Sequence, residues 1–287
     1  MKIQLECIPC LFNQLIRTGK FIYGNDIDKI KELIYGFGYH LKDIDFNLTP
    51  PHAGQILYDY IIEKSGIEDP YKKIKKESIN LVKSKKSLMQ KIIDNSSDKL
   101  LTAIELSILG NIIDFGASES FDFEKELENL NTEDFNLKDY KIFKEKLNTS
   151  NTILFIGDNA GETVFDTFLL KELKDRRKNL IYTVRESPII NDSTYEDAIM
   201  SGIDKYAEIV KPGHTLSGLD INLTSSKFRD LFYSSDMIIS KGQGNFETLS
   251  DCKRDIFFLF RVKCKVVSEL LNEPIGEAIL HYHFPNS

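Results

Sequence analysis

Near residue 150 the hydrophobic pattern of the chain changes period. On the N-terminal side, apolar residues recur at three- and four-residue steps, as in Ile27, Ile30, Leu33, Ile34 and Phe37, and again in Leu100, Leu101, Ile104, Ile108 and Ile112. That spacing lines one face of an α-helix, and no strand-like alternation competes with it. On the C-terminal side, short apolar runs take over at Thr152 to Ile156, Leu180 to Val184, Ala207 to Val210, Met237 to Ile239 and Ile256 to Val262, with a weaker one at Ala278 to Tyr282. Helical spacing fills the stretches between them. Strands that alternate with helices build a largely parallel sheet covered on both faces. The expected fold class is α/β, with a helical domain over 1–150 and a sheet domain over 151–287. The acidic, Asn-rich stretch from Phe121 to Ser150 forms the soft boundary.

Composition narrows the partners. A chain of 287 residues, 41% of them hydrophobic, can bury a real core. Its formal net charge of −7 argues against nucleic acid, whose binders present a basic face. The longest apolar runs, such as Ile256 to Phe260, fall far short of the ~20 residues a membrane span needs. The first residues lack the apolar stretch and cleavage site of a secretory signal. A cytoplasmic protein working away from membranes is expected, and no oligomeric state is marked in the sequence. Four cysteines in a chain this long do not make a disulfide framework. The single CxxC at Cys7 and Cys10 leaves three readings: half of a zinc site with Cys252 and Cys264 as an irregular second half, a redox pair, or packing, which is preferred. His281 and His283 would share one face of the last strand with no third ligand, which favours a packed or solvent-facing role.

Ligands of parallel sheets bind beyond the carboxyl ends of the strands. The first strand runs into Gly157-Asp158-Asn159-Ala160-Gly161-Glu162 and then a helix. The Asp158 and Asn159 oxygens suit a hard divalent cation, and the glycines leave the helix N-terminus open to an anion. The alternative is that one of the pair caps the helix. Neither a Walker loop nor a dinucleotide fingerprint fits this turn.

The other strand ends repeat the theme. Asp192 follows the second strand and either completes a metal shell or belongs to a helix cap with Asp197 behind it. Lys241 precedes a Gly-x-Gly turn, Gly242, Gln243, Gly244 and Asn245, where a phosphate could meet both the cation and backbone N–H groups; the alternative is a plain glycine turn. Lys263 follows a further strand and either neutralises phosphate charge or points into water. All fall at the same edge of one parallel sheet, which makes independent coincidence a poor explanation.

These segments, with GNIIDFG at 110–116 and ECIPC at the start, resemble the family long catalogued as domain of unknown function eighty-nine, whose members are metal-dependent damage-control phosphatases. The ECIPC opening resembles its stand-alone archaeal and bacterial subfamily. The resemblance spans nearly the whole chain. It implies a helical N-terminal domain packed on a Rossmann-like α/β domain. It also implies one divalent metal, Mn, Mg, Co or Ni, on Asp158, Asn159 and Asp192. The implied substrate is a small phosphorylated metabolite, such as a sugar phosphate or phosphopantetheine-type compound. Its contacts would be Glu162, the turn Gly242 to Asn245, Lys263, and Asn111 and Asp114 from the helical domain, with Lys241 fitting only the subfamily. Catalysis would fall to Asp158, Asn159 and Lys263, with water the preferred nucleophile over Asp158. Two other classes stay open: an S-adenosylmethionine-dependent carboxyl methyltransferase, because a strand-Gly-Asp turn resembles a cofactor loop, and a non-catalytic metabolite-binding protein.

Overall fold

Helices α1 (Cys7–Tyr23), α2 (Ile27–His40) and α3 (Pro50–Ser65) open the chain. Local chemistry sets their ends. Asp26 caps α2 by accepting from the Lys29 N–H, Pro50 and Pro51 fill the first turn of α3, and Gly66 closes α3 in the left-handed region with φ 70°. Leu15, Phe37, Leu57 and Ile61 are wholly buried in the cluster these helices share. Then follow α4 (Lys72–Ser84), α5 (Lys86–Asn95), α6 (Lys99–Leu109), a 3-10 turn at Gly110–Ile112, and α7 (Tyr140–Thr149). The computed structural model describes residues 1–112, 127 and 137–285, so Asp114 lies outside the described residues.

The remaining elements alternate: β1 (Thr152–Ile156), α8 (Glu162–Asp175), β2 (Asn179–Thr183), α9 (Tyr195–Ser201), β3 (Glu208–Val210), α10 (Ser226–Ser234), β4 (Met237–Lys241), α11 (Gln243–Leu249), β5 (Ile256–Arg261), α12 (Lys265–Leu271) and β6 (Ala278–His283). All six expected strands are present, within two residues of their expected ends. They form one sheet in the order β3-β2-β1-β4-β5-β6, parallel throughout except for β6 against β5. The fold is α/β with a largely parallel sheet.

Period-two alternation divides the core. Ile153 and Phe155 of β1 join Tyr182, Ile239 and Phe257 on one face, while Leu154 and Ile156 join Ile181, Ile238 and Phe258 on the other. Fully burying one such side chain contributes about 1.5–3 kcal/mol. A one-residue slip would exchange the faces of a whole strand, so the pattern holds the register. Residues from α4 to α9 complete the first cluster, and Phe228, Phe232, Phe246 and Val267 of α10, α11 and α12 complete the second. Helices α4 to α7 therefore share a core with the sheet. Among the described residues, no helix is long and apolar enough to cross a membrane.

Candidate functional site at the switch between β1 and β4

Strand order reverses between the neighbours β1 and β4, and the crevice beyond their carboxyl ends is where open α/β sheets take ligands. The turns after these strands touch. Gly242 has φ +79°, and a Cβ there would lie 2.1 Å from Asp158 Oδ2. Only glycine lets this backbone close on the carboxylate. Gly242→Ala is expected to cost about 1–3 kcal/mol of stability through strain, before counting the displacement of Asp158. A urea titration in which the variant matches the parent would refute this.

Main-chain hydrogen bonds tie the β1 turn to the loop after β2. Ser193 N donates to Asp158 O at 2.8 Å and Ala160 N to Asn191 O at 2.9 Å, and Asn159 pairs with Asp192 in an isolated antiparallel bridge. The cap alternatives do not hold. Gly161 occupies the N-cap of α8 with no side-chain cap, and α9 is capped by Thr194 in a capping box with Asp197. Asp158, Asn159 and Asp192 are thus free of capping duty.

Behind them lies a buried polar network. Asn111 Nδ2 donates to Glu162 Oε1 at 2.7 Å and to Asp158 Oδ2 at 3.2 Å, and Asn159 Nδ2 donates to the same two oxygens at 2.6 and 3.0 Å. Arg185 Nε donates to Asp192 Oδ2 at 2.6 Å and Nη1 to Asn245 Oδ1 at 3.1 Å, while Nη2 stands 3.6 Å from Asp158 Oδ1 with no hydrogen-bond partner. Lys241 Nζ donates to Ser107 O, Asp166 Oδ1 and Glu162 Oε2 at 2.7, 2.9 and 3.0 Å. Tyr182 and Ser107 hydroxyls both donate to Asp166 at 2.7 Å.

Burial, with Glu162 and Asp192 nearby, pushes Asp158 well above the usual carboxylate range, against the pull of Arg185 and Lys263. Burial also raises Asp192 despite Arg185, and Asp166 despite Lys241. Lys241, which burial alone would push down, is instead pushed up to about 12 by Asp166 and Glu162.

Four buried carboxylates, Asp158, Glu162, Asp166 and Asp192, face two buried cations, Arg185 and Lys241. With all four ionised, two negative charges remain, the charge a divalent ion carries. Asp158, Asn159 and Asp192 offer oxygen alone, the donor type hard divalent ions prefer. Asn159 turns its Nδ2 toward the acids, and its Oδ1 accepts from none of the described residues. Among the described residues no three His, Cys, Asp or Glu side chains converge on a metal position, so an amide oxygen would have to be the third ligand here. On charge and donor type these residues fit a hard divalent cation.

A cavity of about 280 Å³ opens at this corner. Asp158, Asn159 and Asp192 line it together with Gln243, Gly244 and Lys263, and with Cys7, Leu11, Pro51 and Ala53 of α1 and α3. Lys241, Glu162, Asn245 and Asn111 are buried behind the surface. Lys241, expected to hold phosphate, has all three of its donors committed to protein oxygens. Nor is Gly242 to Asn245 a long turn: α11 begins at Gln243, and Asn245 spends its Nδ2 on Gly157 O and Lys241 O. All four cysteines are free thiols. Cys264 joins Cys7 and Cys10 at the cavity, Cys252 does not line it, and among the described residues no three such ligands converge, so the zinc quartet does not assemble. His281 packs against Phe258, and His283 bonds Cys252 O at 2.8 Å, both in packed roles.

The sequence reading assigned no role to Arg185, Asp166 or Ser107. Arg185 had a signal, since it follows a strand as Asp158 does. Asp166 also had one, standing four residues after Glu162 and hence on the same face, among the apolar Val164, Phe165, Phe168 and Leu169. Ser107 had none.

A family model described as the damage-control phosphatase ARMT1-like domain matches residues 3–279. The chain belongs to this family. A damage-control phosphatase of Pyrococcus horikoshii, PH1575, is 32% identical over 97% of both chains. A damage-control phosphatase of Archaeoglobus fulgidus is 30% identical over 97% of this chain and 98% of its own. The crystal structure of a DUF89 family protein from Pyrococcus horikoshii superposes with a TM-score of 0.88 at 31% identity, covering 99% of each chain. Membership in the damage-control phosphatase family makes this chain an enzyme of the phosphatase class.

Proposed function

We propose that this chain is a metal-dependent phosphatase that hydrolyses the phosphate monoester of a small metabolite, of the size of a sugar phosphate or a phosphopantetheine-type compound. One observation carries the reading: the oxygen-only corner of Asp158, Asn159 and Asp192 opens into the same cavity as Gln243, Gly244 and Lys263. In this reading Asp158, Asn159 and Asp192 hold one divalent ion, Mn, Mg, Co or Ni. When bound, such an ion polarises a phosphoryl oxygen and activates water.

The protein's own groups supply the rest. Lys263, at the end of β5, neutralises charge that develops on phosphate oxygens. Gln243 and Gly244 shape the phosphate's wall. Lys241 touches no substrate; it holds Glu162 and Asp166, and through Glu162 the two asparagines that orient Asp158. Asp158 itself is pinned by Asn111, Asn159 and the Gly242 backbone, a poor arrangement for a carboxylate that must swing out and attack. Water is the better nucleophile, forming its bond to phosphorus as the ester bond breaks. Residues 1–150 complete the site through α1, α3 and Asn111, and 151–287 supply the metal and phosphate ligands.

Chelation is expected to abolish phosphate release from a panel of sugar phosphates and phosphopantetheine-type esters, and one of the four ions to restore it. If no ion supports release from any of them, the reading fails. Metal-independent binding of S-adenosylmethionine would support the methyltransferase alternative.

A further inference from the structure

Arg185 lies behind the proposed metal ligands, 3% exposed and outside the cavity lining. Its seat is fixed on two sides. The backbone N–H donates to Ser193 O at 2.9 Å, and Nη1 donates to the side chain of Asn245, whose amide is itself held by the Gly157 and Lys241 carbonyls. From this seat Nε donates to Asp192 Oδ2 at 2.6 Å.

That bond decides which oxygens are left for an ion. A dication on Asp192 Oδ2 would stand at most roughly 5 Å from Nε, the sum of this bond and a metal–oxygen distance of about 2.5 Å, so two cations would compete for one oxygen. Asp158 Oδ2 is likewise occupied, accepting from Asn111 and Asn159. Arg185 Nη2, 3.6 Å from Asp158 Oδ1, is too far away for a hydrogen bond. One oxygen per residue therefore remains: Asp158 Oδ1, Asn159 Oδ1 and Asp192 Oδ1 accept from none of the described residues. Neither carboxylate has both oxygens open.

Ions differ in how they take such a set. Calcium fills a shell of roughly six to eight oxygens and commonly draws two from one carboxylate, whereas magnesium demands an octahedron and keeps several of its positions as water. Three single oxygens suit magnesium and leave calcium short.

We infer that Arg185 is a positioning residue that sets metal selectivity: by occupying Asp192 Oδ2 it confines Asp192 to ligation through one oxygen and so disfavours calcium relative to small octahedral ions. The inference rests on the reading of Asp158, Asn159 and Asp192 as the metal ligands. It adds a discrimination among ions, made by a side chain that touches neither ion nor substrate.

Displacement of Mn²⁺, followed through the EPR signal of the free ion, gives the dissociation constants of Mg²⁺ and Ca²⁺ for the parent and for Arg185→Met. Methionine neither donates nor carries charge, so Asp192 Oδ2 opens. Loss of the positive charge strengthens both ions by similar amounts, and a general loosening of the site weakens both, so the ratio of the two constants isolates the oxygen count. The parent is expected to bind Ca²⁺ no more tightly than Mg²⁺. In Arg185→Met the preference should move toward Ca²⁺ by at least about tenfold, the lower end of what losing a partner of a metal ligand does. A smaller shift, or one toward Mg²⁺, overturns the inference and leaves the metal reading standing. A parent that binds no Mn²⁺ overturns the inference as well, and the metal reading then stands or falls with the effect of chelation on phosphate release. If Arg185→Met does not fold, the parent decides alone: tighter binding of Ca²⁺ than of Mg²⁺ overturns the inference, and the reverse order supports it.

Discussion

Replacing Asp158 by asparagine is expected to lower phosphate release by at least about 10²-fold, because even partners one step removed from a metal cost 10–100-fold when lost. The substitution keeps the shape of the side chain, removes its charge and leaves one oxygen to accept from Asn111 and Asn159, with the new NH2 on the side of Arg185. It should also cancel the rise in melting temperature that the activating ion gives the parent, since an ion bound to the folded state stabilises in proportion to its occupancy. The metal-free variant should melt above the metal-free parent. Asp158 has a folded pKa above its unfolded one, so at neutral pH its ionised form opposes folding, and that penalty fades only as pH falls through the folded value. Activity down and metal-free stability up is a pairing that a generally damaged variant would not show. Differential scanning calorimetry with and without the ion, beside a phosphate-release assay, reads both. A variant with parental turnover would remove Asp158 from the site.

Lys241→Met is expected to destabilise the protein by about 3–5 kcal/mol, the cost of leaving partners of a buried ion pair uncompensated. That is a large part of the 5–15 kcal/mol typical of a folded protein. Lys241 is wholly buried and is the only cation that bonds Glu162 or Asp166 among the described residues. A loss below about 1 kcal/mol in urea titrations would mean that these acids take up protons when Lys241 is gone. Turnover should fall as well, because Glu162 accepts from both asparagines that orient Asp158.

Much of this was legible in the residues, for identifiable reasons. Strand positions follow from local hydrophobic period, and Ile153 to Ile156 announce β1 without any knowledge of their neighbours. Loops at strand ends are equally local, so Asp158, Asn159, Asp192 and Lys263 could be picked out where they stand. What a linear pattern does not carry is depth. Lys241 and Lys263 both sit at strand ends, yet one is sealed under α6 and α8 and the other exposed at the cavity. The difference arises from Ser107 and Asp166, which reach Lys241 from elements far apart in sequence. Helix caps were undecided for a related reason. Asp192 and Thr194 are both good capping residues, and the choice between them depends on Arg185 claiming the Asp192 carboxylate.

The core cluster that joins Ile79 and Val82 of α4 to Phe257 of β5 and Leu280 of β6 bears on how the protein is made. A ribosome adding about 5–20 residues per second needs roughly 10–40 s to travel from α4 to β6. During that interval the apolar stripes of α4, α5 and α6 have emerged while the inner strands that cover them are still unmade. The nascent chain must therefore carry greasy, unpaired helices until its last strands arrive. Its yield in the cell should depend on holding chaperones and on pausing more than the stability of the finished molecule would suggest.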